Sequence, residues 1–188
     1  MLPVAGAQNA AAASERLGFL GQAAYHLTRL GRVRHQAGQL QAAEQTLTLA
    51  IQAAIRGSDP RMAATARINL ARVMRAAGQR DAAQALLHQC DDWYRTAGGG
   101  DGALLTRALL AATSDSDDAD LEAIVDQARL AGDHEAEVVM LDALALRVAQ
   151  RGQLATARHL LATADDAALA AVTVVDEVDR LDAHRARE

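Results

Sequence analysis

Two arginine pairs, Arg29/Arg32 and Arg72/Arg75, each stand three residues apart in segments of helical periodicity. That spacing places both members of a pair on one helix face. Guanidinium groups gathered on a face suit carboxylate or phosphate, which they grip through forked hydrogen bonds. The competing reading is a solvated face, or ion pairs with acids elsewhere in the chain.

Other constellations are weaker in chemistry. Ser114-Asp115-Ser116-Asp117-Asp118-Ala119-Asp120 is rich in oxygen donors, and a calcium loop wants oxygens at positions 1, 3 and 5, Gly at 6 and Glu at 12. Counted from Asp115, those last three positions are Ala119, Asp120 and Asp126. An acidic first turn for a helix from 119 explains the cluster better, since carboxylates are stabilised at the positive end of the helix dipole. His134-Glu135 opens like a zinc-protease motif, but Val138 stands where the second His belongs. His26, His35, His88, His159 and His184 are scattered. Gly98-Gly99-Gly100-Asp101-Gly102 has neither a preceding strand nor a lysine, so it reads as a turn rather than a phosphate loop. Trp93-Tyr94 closes a helix and reads as packing, with an exposed interface anchor as the alternative.

What is missing narrows the chemistry further. All nineteen basic residues are Arg, so a Walker A loop, a Schiff-base amine and a kinase strand lysine are excluded. Cys90 is the single cysteine, which rules out an intramolecular disulfide and a cysteine zinc cluster. Four serines lack a nucleophile-elbow context. The expectation is a non-enzyme with no cofactor and no metal. The start lacks a basic n-region followed by an apolar run, and no apolar stretch is long enough to span a bilayer, so a cytoplasmic location is expected.

The elements that position these residues follow from composition and punctuation. Forty-six alanines, 2% aromatics and two prolines favour helix throughout. Breaks fall at Gly18, Gly38, Gly57-Ser58-Asp59-Pro60, Gly78, Gly98 to Gly100, Ser114 to Asp118, Gly132-Asp133 and Gly152. Between them, apolar residues recur at three and four. Helices are expected over 19–37, 40–56, 60–77, 80–96, 102–112, 119–131, 134–151 and 153–170. A closing helix is expected over 174–186, started by Thr173-x-x-Asp176. Residues 1–9 are expected to be loose, with 10–188 a single repeat domain in units 19–56, 60–97, 101–131 and 133–170.

The breaks are periodic. Leu30-Gly31…Gly38…Ala43…Leu47 recurs forty residues on as Leu70-Ala71…Gly78…Ala83…Leu87. A third copy follows as Leu144-Ala145…Gly152…Ala157…Leu161. A fixed period of this size means stacked helix pairs. The small residues Gly31, Ala71, Ala145, Ala43, Ala83 and Ala157 belong where paired helices cross. A larger side chain there costs roughly 1–3 kcal/mol.

On these residues the chain resembles the tetratricopeptide repeat family, whose units set Leu, a small residue, Gly eight positions after Leu, then Ala, Leu and Ala. The bulky aromatics usual on the first helix are absent. The Ala-rich, roughly forty-residue unit is similar to the sensor region of MalT-like transcription regulators of the STAND class. The resemblance implies an all-α, right-handed α-solenoid of antiparallel helix pairs, about four units and a capping helix. It also implies that the first helices of units one and two line a concave groove, bringing Tyr25, Thr28, Arg29, Arg32, His35, Thr65, Asn69, Arg72 and Arg75 to a ligand. The family's carboxylate clamp is matched only by Asn69, with Thr28 and Arg32 at two further clamp positions.

Charge is uneven: residues 1–94 hold ten Arg against six acids, residues 95–188 nine Arg against eighteen acids. The expected function is a non-catalytic scaffold that binds an acidic or extended segment of another protein. One alternative is a protein that senses or shapes a small anionic ligand. Another is the sensor segment of a larger regulator, with exposed apolar faces near 10–20 or 170–188 and a homodimer through a solenoid end. The negative net charge and few aromatics disfavour nucleic acid.

Overall fold

Three-residue turns built from one hydrogen-bonding scheme set the architecture. After helix α2 (Leu20–Gln36) the amide of Gly38 donates to the His35 carbonyl at 2.9 Å and that of Gln39 to Arg34 at 2.9 Å. The second bond closes a Schellman turn, which needs a residue in the left-handed region. Gly38 supplies it at φ 72°. The same scheme recurs at Gly78-Gln79 and Gly152-Gln153. Turns this short make consecutive helices antiparallel neighbours.

The computed structural model describes the backbone of residues 3–100, 102–113 and 117–185, and side chains within 6–170 of these. No strand occurs among the described residues, and the chain divides into two compact units, Met1–Gly100 and Asp101–Glu188. The first holds α1 (Pro3–Arg16), α2, α3 (Leu40–Arg56), α4 (Pro60–Ala76) and α5 (Arg80–Thr96). The second holds α6 (Ala103–Ala111), α7 (Asp118–Ala131), α8 (His134–Gln150) and α9 (Leu154–Arg185).

Each helix in the first unit packs on the next, and α2 also meets α4, the first helix of the following pair. The second unit repeats this logic: α6 packs on both α7 and α8, and α8 on α9. Alanine makes the close approach possible. Ala23 and Ala24 of α2, Ala53 and Ala54 of α3 and Ala63 of α4 form one buried cluster with Leu27 and Met62 packed against it. A second cluster joins Ala43 and Leu47 of α3 to Leu70 and Val73 of α4. Gly31 is buried in α2, and a Cβ added there would stand 2.5 Å from Leu47 Cγ. Ala71, Ala83, Leu87, Leu144, Ala145 and Ala157 are buried too.

Four features differ from the sequence expectation. No break interrupts α9 near 171–173: no Gly or Pro follows Gly152, and alanines around 164–171 propagate the helix through Thr173. Among the described residues, 174–185 therefore continue α9 and form no separate capping helix. At the other end α1 starts at Pro3, at the first helical position that suits proline, so most of 1–9 is helical rather than loose. In the α3–α4 turn Gly57 has φ −80°, and Ser58 takes the left-handed position at φ 54°. Leu161, the repeat equivalent of Leu47, is 47% exposed, whereas Leu47 is buried in a cluster with Leu70 and Val73 of α4.

Candidate functional site

The arginine row is set by α2 and α4, which lie side by side in the first unit. Helix α4 is firmly started: Asp59 Oδ1 accepts from the Met62 amide at 2.9 Å, and Pro60 follows at the first helical position. Helix α2 is anchored through the alanine cluster and Leu30. Two helices fixed by packing thus present their arginines from rigid elements.

Four positively charged or titratable groups converge at one end of this pair. His35 on α2 has its pKa lowered by burial first and by Arg72 on α4 second. Arg75 is lowered by burial, then by Arg72, then by Arg80 at the start of α5. Cations held together and partly desolvated destabilise one another, and an anion placed among them relieves that repulsion. Further along α2, Arg29 lies 5.7 Å from the Tyr25 ring centroid and donates to its hydroxyl at 3.3 Å. Arg29, Arg32 and Tyr25 are exposed, and Arg72 and Arg75 are half-buried.

The uncharged members of the expected groove behave differently. Thr28 Oγ1 donates to the Ala24 carbonyl at 2.8 Å, Thr65 Oγ1 to Arg61 at 3.1 Å and Asn69 Nδ2 to Thr65 at 2.9 Å. All three bonds close on the residue's own helix. Thr28 and Asn69 are also buried, so neither stands as a ligand-facing side chain. Arg34 turns to α3, where it donates to Ala42 at 3.4 Å and to Thr46 Oγ1.

No family model, curated protein or solved structure matches this chain.

The remaining sequence candidates resolve into structural contacts. In the acidic run, Ser114, Asp115 and Ser116 lie outside the described residues. Asp117 caps α7 by accepting from the Asp120 amide at 2.8 Å. Asp118 accepts from Arg147 at 3.5 Å and from both terminal nitrogens of Arg151. The hydrogen bond from Arg151 is the largest cause holding its carboxyl below the usual range. His134 Nδ1 lies 3.7 Å from Glu137, and Arg129 Nε reaches the same carboxylate at 2.7 Å. The Arg129–Glu137 pair ties α7 to α8, while His134 and Glu137 share one face of α8. Among the described residues no group of three His, Cys, Asp or Glu could hold a metal ion. Cys90 is buried, its Sγ 3.8 Å from the Ala64 carbonyl, and burial pushes its thiol up to about 11. A thiol so protonated is a poor nucleophile. Tyr94 is buried with Trp93 edge-on at 4.7 Å.

Sequence reasoning missed a hollow at the opposite end of the α2–α4 pair. Phe19, Gly21, Gln22, Tyr25, Asp59, Arg61 and Met62 line an open depression of about 430 Å³. Phe19 is 61% exposed and Tyr25 42%. The available signal was the chain's single Phe, placed just before α2 where no core helix face needs it. Leu17 and Phe19 are large apolar residues exposed within 10–20, and side chains beyond 170 lie outside the described set.

Proposed function

We propose that this protein is a non-catalytic interaction module whose α2–α4 face binds an acidic, extended segment of another protein. The observation that carries this reading is the crowding of His35, Arg72, Arg75 and Arg80 from three helices. An extended segment bearing several carboxylates satisfies such a row better than one small anion, because the arginines are strung along α2, α4 and the start of α5. The hollow at the other end of the pair is open rather than enclosed, which favours a peptide over a small molecule.

In this reading the hairpins are tetratricopeptide-like, and the helix pairs of residues 3–100 stack as a right-handed α-solenoid with α2 and α4 on its concave side. The positive φ at Gly38, Gly78 and Gly152 and the buried small residues at helix crossings support the repeat assignment. No described helix is long and apolar enough to cross a membrane, and a regulatory scaffold acting in the cytoplasm fits that finding.

Titration of a fluorescein-labelled octaglutamate peptide tests the reading. Wild-type protein should raise its anisotropy saturably, and Arg32→Glu with Arg72→Glu should weaken binding by about tenfold or more. Equal affinity for the wild type and a folded double variant would remove the face from consideration.

A further inference from the structure

The hollow and the arginine row occupy the same two helices in sequence. Along α2 the order is Tyr25, Arg29, Arg32, His35; along α4 it is Arg61, Met62, Arg72, Arg75. At about 1.5 Å rise per residue, Arg32 lies about 10 Å beyond Tyr25, and Arg75 about 20 Å beyond Met62. An extended peptide covers about 3.3 Å per residue, so it crosses that interval in three to six residues.

The two ends differ in chemistry. The hollow has an apolar lining from Phe19, Tyr25 and Met62, with Gln22, Asp59 and Arg61 supplying polar groups. Gly21 leaves it open without being forced by packing, since a Cβ there would meet only Asp59 Oδ2, at an ordinary 3.9 Å. Met62 is already held from beneath by the alanine cluster, and Tyr25 is steadied by Arg29. Aromatic and thioether side chains held in this way form a preorganised seat for an apolar group.

We propose that this hollow seats an apolar anchor residue of the same acidic segment, three to six residues from the carboxylates held by the arginine row. The proposal rests on the function assigned above and adds a sequence rule to it: one Leu, Phe or Trp, a short spacer, then consecutive acids. The acids supply attraction and the anchor supplies position, because carboxylates alone can slide along a row of cations.

Three fluorescein-labelled peptides test this by anisotropy. One carries Leu, a Gly-Ser spacer and four Glu, which sets the acids three to six residues from Leu; the second replaces Leu with Gly; the third lengthens the spacer to about ten residues of Gly and Ser. The short-spaced, anchored peptide should bind about tenfold more tightly than either of the others. Phe19→Ser should abolish most of that advantage while leaving the anchorless peptide unchanged. Phe19 is exposed and has no contact with the arginine row, so a folded variant is expected, and its circular dichroism melt verifies this. Equal binding of all three peptides would overturn the anchor while leaving the acidic-segment reading intact. Failure of all three, and of octaglutamate, would overturn both.

Discussion

At the scale of single residues, the fold depends on where side chains are small. Gly31 faces Leu47 so closely that a single added carbon has no room, its site lying 2.5 Å from Cγ and 2.7 Å from Cδ2. Leu47 is fully buried and belongs to the cluster that joins α3 to α4, so it cannot move aside cheaply. Gly31→Ala gains about 1 kcal/mol of helix propensity, yet overpacking costs roughly 1–3 kcal/mol. The variant should therefore unfold at lower denaturant concentration than the wild type; a higher midpoint would show that Leu47 can repack. The small-residue positions were legible in the sequence because the repeat prints them at one spacing. Ser58 was not, since the same turn occurs there one residue after the only available glycine, and a serine bears the left-handed conformation.

At the scale of elements, α7, α8 and α9 are tied by charges whose effects on stability have opposite signs. Asp118 on α7 is held down in pKa first by its hydrogen bond from Arg151; desolvation opposes this, and the charge of Arg151 with the hydrogen bond and charge of Arg147 add to the lowering. A depressed carboxylate stabilises the fold above its unfolded value of about 3.9 and loses that contribution as pH falls through the folded value. Asp142 on α8 behaves in reverse: burial first, and Asp165 on α9 second, raise it. Its ionisation destabilises the fold once pH rises through its folded value. Asp118→Asn should thus lower the melting temperature at pH 7 by more than at pH 3. Asp142→Asn should raise it at pH 7, with the benefit fading at pH 3. A pH-independent difference would refute the ion-pair account for Asp118, or the account of burial and repulsion by Asp165 for Asp142. Helix boundaries in this region were mostly readable from Gly132, Asp133 and Gly152. These cross-helix pairs were not, because one sequence does not state which acid on α7 meets which arginine on α8. The continuous α9 was misread for a related reason. A capping pattern at Thr173 is a local signal, whereas helix propagation through an alanine run depends on the absence of any breaker around it.

At the scale of the whole molecule, the two compact units differ in charge: residues 1–100 carry eleven Arg against six acids, and residues 101–188 eight Arg against eighteen acids. The cationic face belongs to the first unit, within α2, α4 and the start of α5. Spacing in the sequence located its arginines, and the resemblance to a repeat family placed them on neighbouring helices. It could not separate arginines that crowd together from Thr28 and Asn69, whose polar atoms bond back to their own helices. Nor did it reveal the hollow, which is assembled from residues nearly forty positions apart at the ends of two helices. The central claim, that this face takes an acidic segment, is tested most directly by amide and arginine side-chain NMR spectra recorded while octaglutamate is added. The account expects shifts that saturate and are concentrated on Arg29, Arg32, His35, Arg72, Arg75 and Arg80, and that fade as salt is raised. Saturable shifts centred on other helices, or none at all at millimolar peptide and low salt, would contradict it.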